Sequence, residues 1–454
     1  MTASPPEDLR PEDLAGADAE AVAAEETTVG SYFISNYPPY SFWNEESLPQ
    51  VERVLDKQPP ADRPLGLYLH IPFCRKRCKF CYFRVYTDKN SRDIEAYMNA
   101  IAEEAALYSK RGVFSNRLLR FVYFGGGTPS YLGTHQLLAL VERLRESVGW
   151  DNAEEVTFEC EPGTLNPAKV EAMKQIGVTR VSLGVENFDD AILQENGRAH
   201  LSEEIERSYE WIQKAQFPYV NIDLIAGMVG ETLENWTACV DKAIALAPDG
   251  VTIYQMELPY NTVYSKGILE DGRPTPVADW STKRAWVTQA FEAFTNAGYS
   301  VSSAYTLVKD SSTCNFSYRD NLWRGADLVG TGVASFSHVD GVHYQNLDRF
   351  EDYIETVQDG SLPLSRALHI NDTERLIREL ILQLKLGRID AGYFRDKFGR
   401  EILDDFRSAF ENHRDNGFLD WTGDVVTLTR KGLVRADSLL PRFFLEKHRG
   451  ARYT

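Results

Sequence analysis

Cysteine is scarce in this chain, with 6 among 454 residues, too few for a disulfide scaffold and in keeping with a reducing compartment. Long apolar runs are lacking as well. No stretch approaches the roughly 20 residues that a bilayer-spanning helix needs, and the first residues include acids where a secretory leader would carry Lys or Arg. A cytoplasmic protein without a membrane span is therefore expected. Positive charge is in deficit: 49 Lys and Arg stand against 67 Asp and Glu, a formal net charge of −18. That balance argues against binding a phosphate backbone, so no nucleic-acid partner is expected. With 43% hydrophobic and 26% charged residues, wholesale disorder and a collagen-like repeat are both excluded. The length exceeds what one core usually holds, which predicts a main domain with appended parts.

Composition and periodicity divide the chain. Residues 1–28, rich in Ala, Pro, Asp and Glu, read as a disordered acidic tail. Residues 29–60 contain Tyr37-Pro38-Pro39-Tyr40-Ser41-Phe42-Trp43, an aromatic segment too apolar to stay in water. It is expected to pack on the main body, either over the mouth of the site or as a plug in a gap. From 61 to 305, short β-branched or aromatic runs alternate with amphipathic stretches, the pattern of repeated βα units and a parallel sheet. Six strands are expected, at 65–72, 118–125, 154–162, 180–187, 219–227 and 250–257, with helices between them such as 93–108 and 202–215, the latter capped by Ser202. This α/β pattern suits a barrel of fewer than eight strands or an open doubly wound sheet, and both place chemistry at the C-terminal strand ends. Residues 306–365 read as a bridging segment. Residues 366–454 read as a C-terminal helical, winged-helix-like domain, with helices at 372–386, 390–398 and 401–416 and a hairpin turning at Gly423-Asp424.

Three of the six cysteines, Cys74, Cys78 and Cys81, fall in a CxxxCxxC run just after the first strand, where the first catalytic loop of such a fold would lie. A structural zinc site normally takes four protein ligands, so three close thiolates suggest a [4Fe–4S] cluster with one open iron, a zinc knuckle with a distant ligand being the alternative. The adjacent Arg75, Lys76, Arg77 and Lys79 would favour the thiolate forms. Gly125-Gly126-Gly127 ends the second strand and would let bare backbone approach a ligand, with Thr128 adding a hydroxyl. Glu159, Glu186 and Asp223 are carboxylates inside predicted buried strands, which are costly unless partnered. Cys160, Cys239 and Cys314 read as buried structural thiols.

The CxxxCxxC loop after a strand resembles that of the radical S-adenosylmethionine superfamily. Within it, Tyr68-Leu69-His70-Ile71-Pro72-Phe73-Cys74, Gly125 to Ser130 and Asn221-Ile222-Asp223 resemble the oxygen-independent coproporphyrinogen III oxidase family, which includes related methyltransferases and haem chaperones. The resemblance implies a partial (βα)6 barrel, a [4Fe–4S] cluster on Cys74, Cys78 and Cys81, and one or two molecules of S-adenosylmethionine. It also implies an external one-electron donor such as flavodoxin or ferredoxin. Glu159, Asp223 and Arg198 match cofactor contacts of the family, and Tyr68 and Phe80 match its aromatic contacts. Gly126, Gly127, Thr128 and Glu186 complete the expected cofactor site.

The chain departs from the oxidase pattern at Phe83, where the oxidases usually carry a fourth cysteine, and at Glu186, where they have Gln. Three functions stay open: an oxidase-like enzyme abstracting hydrogen from a tetrapyrrole-like or other organic substrate, a methyltransferase or cyclopropane-forming enzyme using two S-adenosylmethionines, and a haem chaperone. The chaperone needs a haem ligand, for which His70, His200, His338 and His343 are candidates.

Overall fold

The structure is a computed structural model that describes residues 26–31 and 33–451; the expected tail lies outside the described residues up to 25. The centre of the fold is a parallel array of β1 (Leu65–Ile71), β2 (Leu119–Gly126), β3 (Glu155–Cys160), β4 (Arg180–Glu186), β5 (Tyr219–Ala226) and β6 (Gly250–Gln255), each beside the one before it. These are the six expected strands. Period-two alternation explains their placing. Leu67, Leu69, Val122, Phe124, Val156, Phe158, Val181 and Leu183 point outward and are buried under helices such as Ser91–Ser109 and Thr134–Arg145. The other face bears Tyr68, Tyr123, Glu159, Ser182 and Asp223, which line an internal cavity. The helix Ser202–Ala215 has the expected bounds, but its cap is Leu201 rather than Ser202. Glu204 reaches back to accept from the Leu201 amide, while the Ser202 amide donates to Asp190.

The sheet continues beyond the six units. β6 pairs antiparallel with β8 (Thr306–Val308), and β8 with β7 (Ser300–Val301). On the other side β1 pairs parallel with β9 (Asp327–Thr331), followed by antiparallel β10 (Phe336–Val339), β11 (Val342–Asn346) and β12 (Leu364–His369). The segment expected only to bridge two domains therefore supplies four strands, β8 to β11, and the start of a fifth, β12, while β7 comes just before it. These strands are short, two to six residues, so they show little alternation in the sequence. The helix Ser317–Leu322 closes the N-terminal end of the barrel, where the Tyr318 ring lies 4.3 Å from that of Tyr123.

The C-terminal unit holds helices Asp372–Leu384, Ala391–Phe398, Ile402–Asp405 and Arg407–Asp415 and a small sheet of β13 (Arg388–Asp390), β14 (Leu419–Thr422) and β15 (Val425–Leu428). The expected helix 401–416 is broken at Phe406, whose φ of −114° leaves the helical range. The N-terminal segment forms a strap across the open side of the sheet. Gly30 bonds to the Leu258 carbonyl beyond β6, Ile34 bonds to Asp437, and Asn44 bridges to Ala367 of β12. Residues 26–28 of the span expected as tail belong to the packed body, for Thr27 is fully buried and accepts a hydrogen bond from Lys283 Nζ at 2.7 Å. No helix among the described residues is long and apolar enough to cross a membrane.

Candidate active site

The C-terminal strand ends, the strap and the turn into β10 enclose a cavity of about 1440 Å³. Every residue expected at the site lines it: Cys74, Cys78, Cys81, Tyr68, Phe80, Gly126, Gly127, Thr128, Glu159, Glu186, Arg198 and Asp223. The three thiols are free and partly buried, on a loop pinned by Cys74 N–H to the Tyr86 carbonyl and by Lys79 N–H to the Asn196 carbonyl, each at 3.1 Å. Burial pushes Cys74 up to about 12 and Cys81 up to about 11. Of the basic loop residues, Arg77 draws Cys81 part of the way back. Arg75 is committed to Glu161 at 2.9 Å, Lys79 is committed to Glu195 at 3.0 Å, and Arg77 donates to backbone carbonyls. The cation at the thiols is Arg198, whose Nη1 donates to Cys78 Sγ at 3.3 Å. Among the described residues no three His, Cys, Asp or Glu side chains, the thiols included, are gathered as around a single ion.

The glycines are sterically required. Gly126 has φ +117°, and a Cβ there would meet the His70 ring at 2.8 Å. At Gly127 a Cβ would stand 2.8 Å from the Pro72 carbonyl carbon and 3.0 Å from Cys74 Sγ. The thiol loop thus lies directly on bare backbone, with Thr128 Oγ1 3.4 Å from Cys74 Sγ.

Three carboxylates follow around the barrel. Glu159 accepts from the Tyr123 hydroxyl at 2.7 Å and from the Gly126 amide at 3.2 Å. Asp223 accepts from Ser182 Oγ at 2.7 Å and Asn221 Nδ2 at 3.0 Å. Glu186 sits at a bulge with φ +65°, 3.6 Å from Arg198 Nη2. Burial pushes Glu159 and Glu186 up to about 7 and Asp223 up to about 6. The group is short of positive charge, and a cationic ligand would supply it.

The aromatic and imidazole candidates separate on contact. Tyr68 stacks on Tyr123 at 5.8 Å, and its hydroxyl meets His70 Nδ1 at 3.2 Å. Phe80 packs against the apolar group around Ile225 and Met256. His200 is spent, with one ring nitrogen on Glu161 and the other on the Val185 carbonyl. His70 Nε2, both nitrogens of His338 and Nε2 of His343 have no partner. Cys160 and Cys239 are buried as expected, whereas Cys314 is only partly so, in the loop before the helix Ser317–Leu322 with its Sγ 3.9 Å from the Asp249 carbonyl.

Residues 68–243 match the radical SAM superfamily. The oxygen-independent coproporphyrinogen III oxidase of Pseudomonas aeruginosa is 27% identical over 391 residues, covering 83% of this chain and 82% of that one. The heme chaperone HemW of Lactococcus lactis is 30% identical over 407 residues, covering 85% and 98%. The solved structure of coproporphyrinogen III oxidase (HemN) from Escherichia coli aligns with a TM-score of 0.78 at 21% identity, covering 91% and 96%, and shows the same fold. The chain belongs to the radical SAM superfamily, in the family of these oxidases and HemW.

The cofactors of radical SAM proteins are a [4Fe–4S] cluster and S-adenosylmethionine, and the residues of this chain fit both. The thiols share one wall with a glycine cradle, and three buried carboxylates with one guanidinium among them would suit a cationic ligand. Sequence reasoning missed Tyr123, Ser182 and Asn221, which orient the acids. Each lies on the same period-two face as the acids, and extending that alternation along β2, β4 and β5 would have found them.

Proposed function

We propose that this radical SAM protein is an enzyme of the coproporphyrinogen oxidase type, acting on a tetrapyrrole-like or other organic substrate. Cys74, Cys78 and Cys81 would hold the cluster, and Gly126, Gly127, Thr128, Glu159, Arg198 and Asp223 would hold S-adenosylmethionine beside it. When bound, these groups supply a 5′-deoxyadenosyl radical that abstracts hydrogen. The protein's own part is binding, orientation and exclusion. Tyr123 and the Gly126 amide fix the Glu159 carboxylate, Ser182 and Asn221 fix Asp223, and Arg198 ties the Cys78 side of the loop to the Gly184 carbonyl at 2.9 Å. Tyr68 and Phe80 give the cofactor apolar walls. The strap, with Phe33, Tyr40 and Trp43 on the cavity wall, keeps water from a reactive intermediate. A flavodoxin or ferredoxin would deliver the electron.

The observation that carries this reading is that the thiols, glycines and acids all open onto one cavity large enough for cofactor and substrate together. A haem-chaperone reading is favoured by the HemW relatives and by the unpartnered imidazole of His338 and the free Nε2 of His343. Anaerobic reconstitution with reductant, S-adenosylmethionine and coproporphyrinogen III, followed by mass analysis, tests the proposal. Formation of 5′-deoxyadenosine in step with substrate loss supports it. S-adenosylhomocysteine would replace it with methyl transfer, and stable haem binding with neither product would replace it with the chaperone.

A further inference from the structure

One wall of the cavity carries buried groups that the proposed chemistry does not use. His338 of β10 and His343 of β11 face each other across the antiparallel pair, ring centroids 4.6 Å apart, at 6% and 1% exposure. A hydrogen bond to the Tyr37 backbone engages His343 on one side only, and neither nitrogen of His338 has a partner. Arg378, also 6% exposed, donates to Asn36 Oδ1 at 3.0 Å and to the Leu322 carbonyl at 3.3 Å. Arg366 donates to Gln345 Oε1 at 2.7 Å and to the Tyr40 carbonyl at 3.2 Å. All of these acceptors are neutral. Among the described residues neither guanidinium has a carboxylate at ion-pair distance, and the adjacent Glu379 is taken by Lys397 at 2.8 Å and by Tyr393.

Burying a guanidinium is costly unless an anion accompanies it, and Arg378, buried beside the half-buried Arg366, leaves that anion to be supplied from outside the chain. Desolvation already draws Arg378 down to about 10, and burial with the Arg378 charge beside it keeps His338 neutral. The same positive field makes the imidazole pair a poor place for a metal cation. The surroundings are aromatic: Trp43 stacks on His343 at 5.3 Å, and Tyr40 packs on Phe336 at 4.5 Å. An apolar body with carboxylate arms suits such a wall.

We infer that Arg366, Arg378 and His338 form a binding subsite for a carboxylate of the substrate, on the opposite side of β1 and β2 in the sheet from the acids of β3–β5. The inference rests on the reading that this cavity receives an organic substrate. Its test uses redox-inert coproporphyrin III, the tetramethyl ester of that porphyrin, and citrate as a carboxylate without a ring. Binding is followed by fluorescence and calorimetry on the reconstituted full chain. Arg366→Gln and Arg378→Gln are each expected to weaken coproporphyrin III by about ten-fold or more, with S-adenosylmethionine affinity retained as a check on folding. Arg366→Lys should recover part of the loss, and the ester should bind weakly and ignore all three substitutions. An ester that binds as tightly as the acid, or substitutions that leave coproporphyrin III unaffected, would overturn the subsite. If Arg378→Gln does not fold, Arg366→Gln alone decides. Coproporphyrin III failing to bind while citrate binds in an arginine-dependent way would remove the tetrapyrrole reading and leave the subsite standing. Failure of both probes would remove the subsite.

Discussion

Glu159, Glu186 and Asp223 set three carboxylates against the single guanidinium of Arg198, whereas Arg366 and Arg378 face the same cavity with, among the described residues, no carboxylate at ion-pair distance, Asp348 and Glu379 acting on them only from farther off. Each wall is imbalanced, and in opposite directions. Burial raises the acids on one side and lowers Arg378 on the other, so both are destabilised by the charge they carry alone. Pairing the walls with each other would have cured both, yet β1 and β2 stand between them in the sheet. Charge left unpaired on two separated walls is charge kept for ligands of two kinds, a cation on the acidic side and an anion on the basic side.

The largest effect is expected at the thiol loop that borders the acidic wall. A Cys74→Ala/Cys78→Ala/Cys81→Ala variant is expected to lose all of the about four iron atoms per chain that a cluster would bring, while Cys239→Ala keeps them, by iron assay. Gly127→Ala comes next. Its Cβ would press on Cys74 Sγ and the Pro72 backbone, and the expected outcome is a loss of about half or more of the iron together with a stability loss of about 1–3 kcal/mol in denaturant melts.

Asp223→Asn and Glu159→Gln remove charge from the acidic wall while keeping shape, and each should weaken S-adenosylmethionine by about ten-fold, read by calorimetry. The pH dependence sharpens the same point. With folded values of about 7 for Glu159 and Glu186 and about 6 for Asp223, the ligand-free site holds protons that a cation must displace. S-adenosylmethionine affinity should therefore rise as pH goes from about 5.5 to about 7.5 and level off above it. Because these folded values lie above the ordinary ones, the ligand-free protein binds more protons than the unfolded chain in that window. Its stability contribution from these acids falls as pH rises through them. Glu186→Gln is the mildest change, since Arg198 keeps its bonds to Cys78 and Gly184; a shift of about three-fold or less is expected.

The barrel was legible in the sequence because its strands are long enough to alternate and are cut by Gly and helical stretches; all six fell within two residues of their expected bounds. The cysteine loop was legible because its ligands are neighbours in the chain. The basic wall was not, for the opposite reason. His338, Arg366 and Arg378 come from two short strands and a helix, and only tertiary packing brings them to the cavity. Arg378 sits in the amphipathic helix Asp372–Leu384, where a sequence reading assigns the long charged side chain to solvent. The roles given to Arg75 and Lys79 failed similarly, since their partners Glu161 and Glu195 lie far along the chain.

Whether the two walls take different ligands is decided by a crystal structure of the anaerobically reconstituted protein soaked with S-adenosylmethionine. The result expected is density for its methionine and ribose parts against Gly126, Glu159 and Asp223, with the wall of Arg366 and Arg378 left free. Density seated on Arg366 and Arg378, with the three acids untouched, would contradict it.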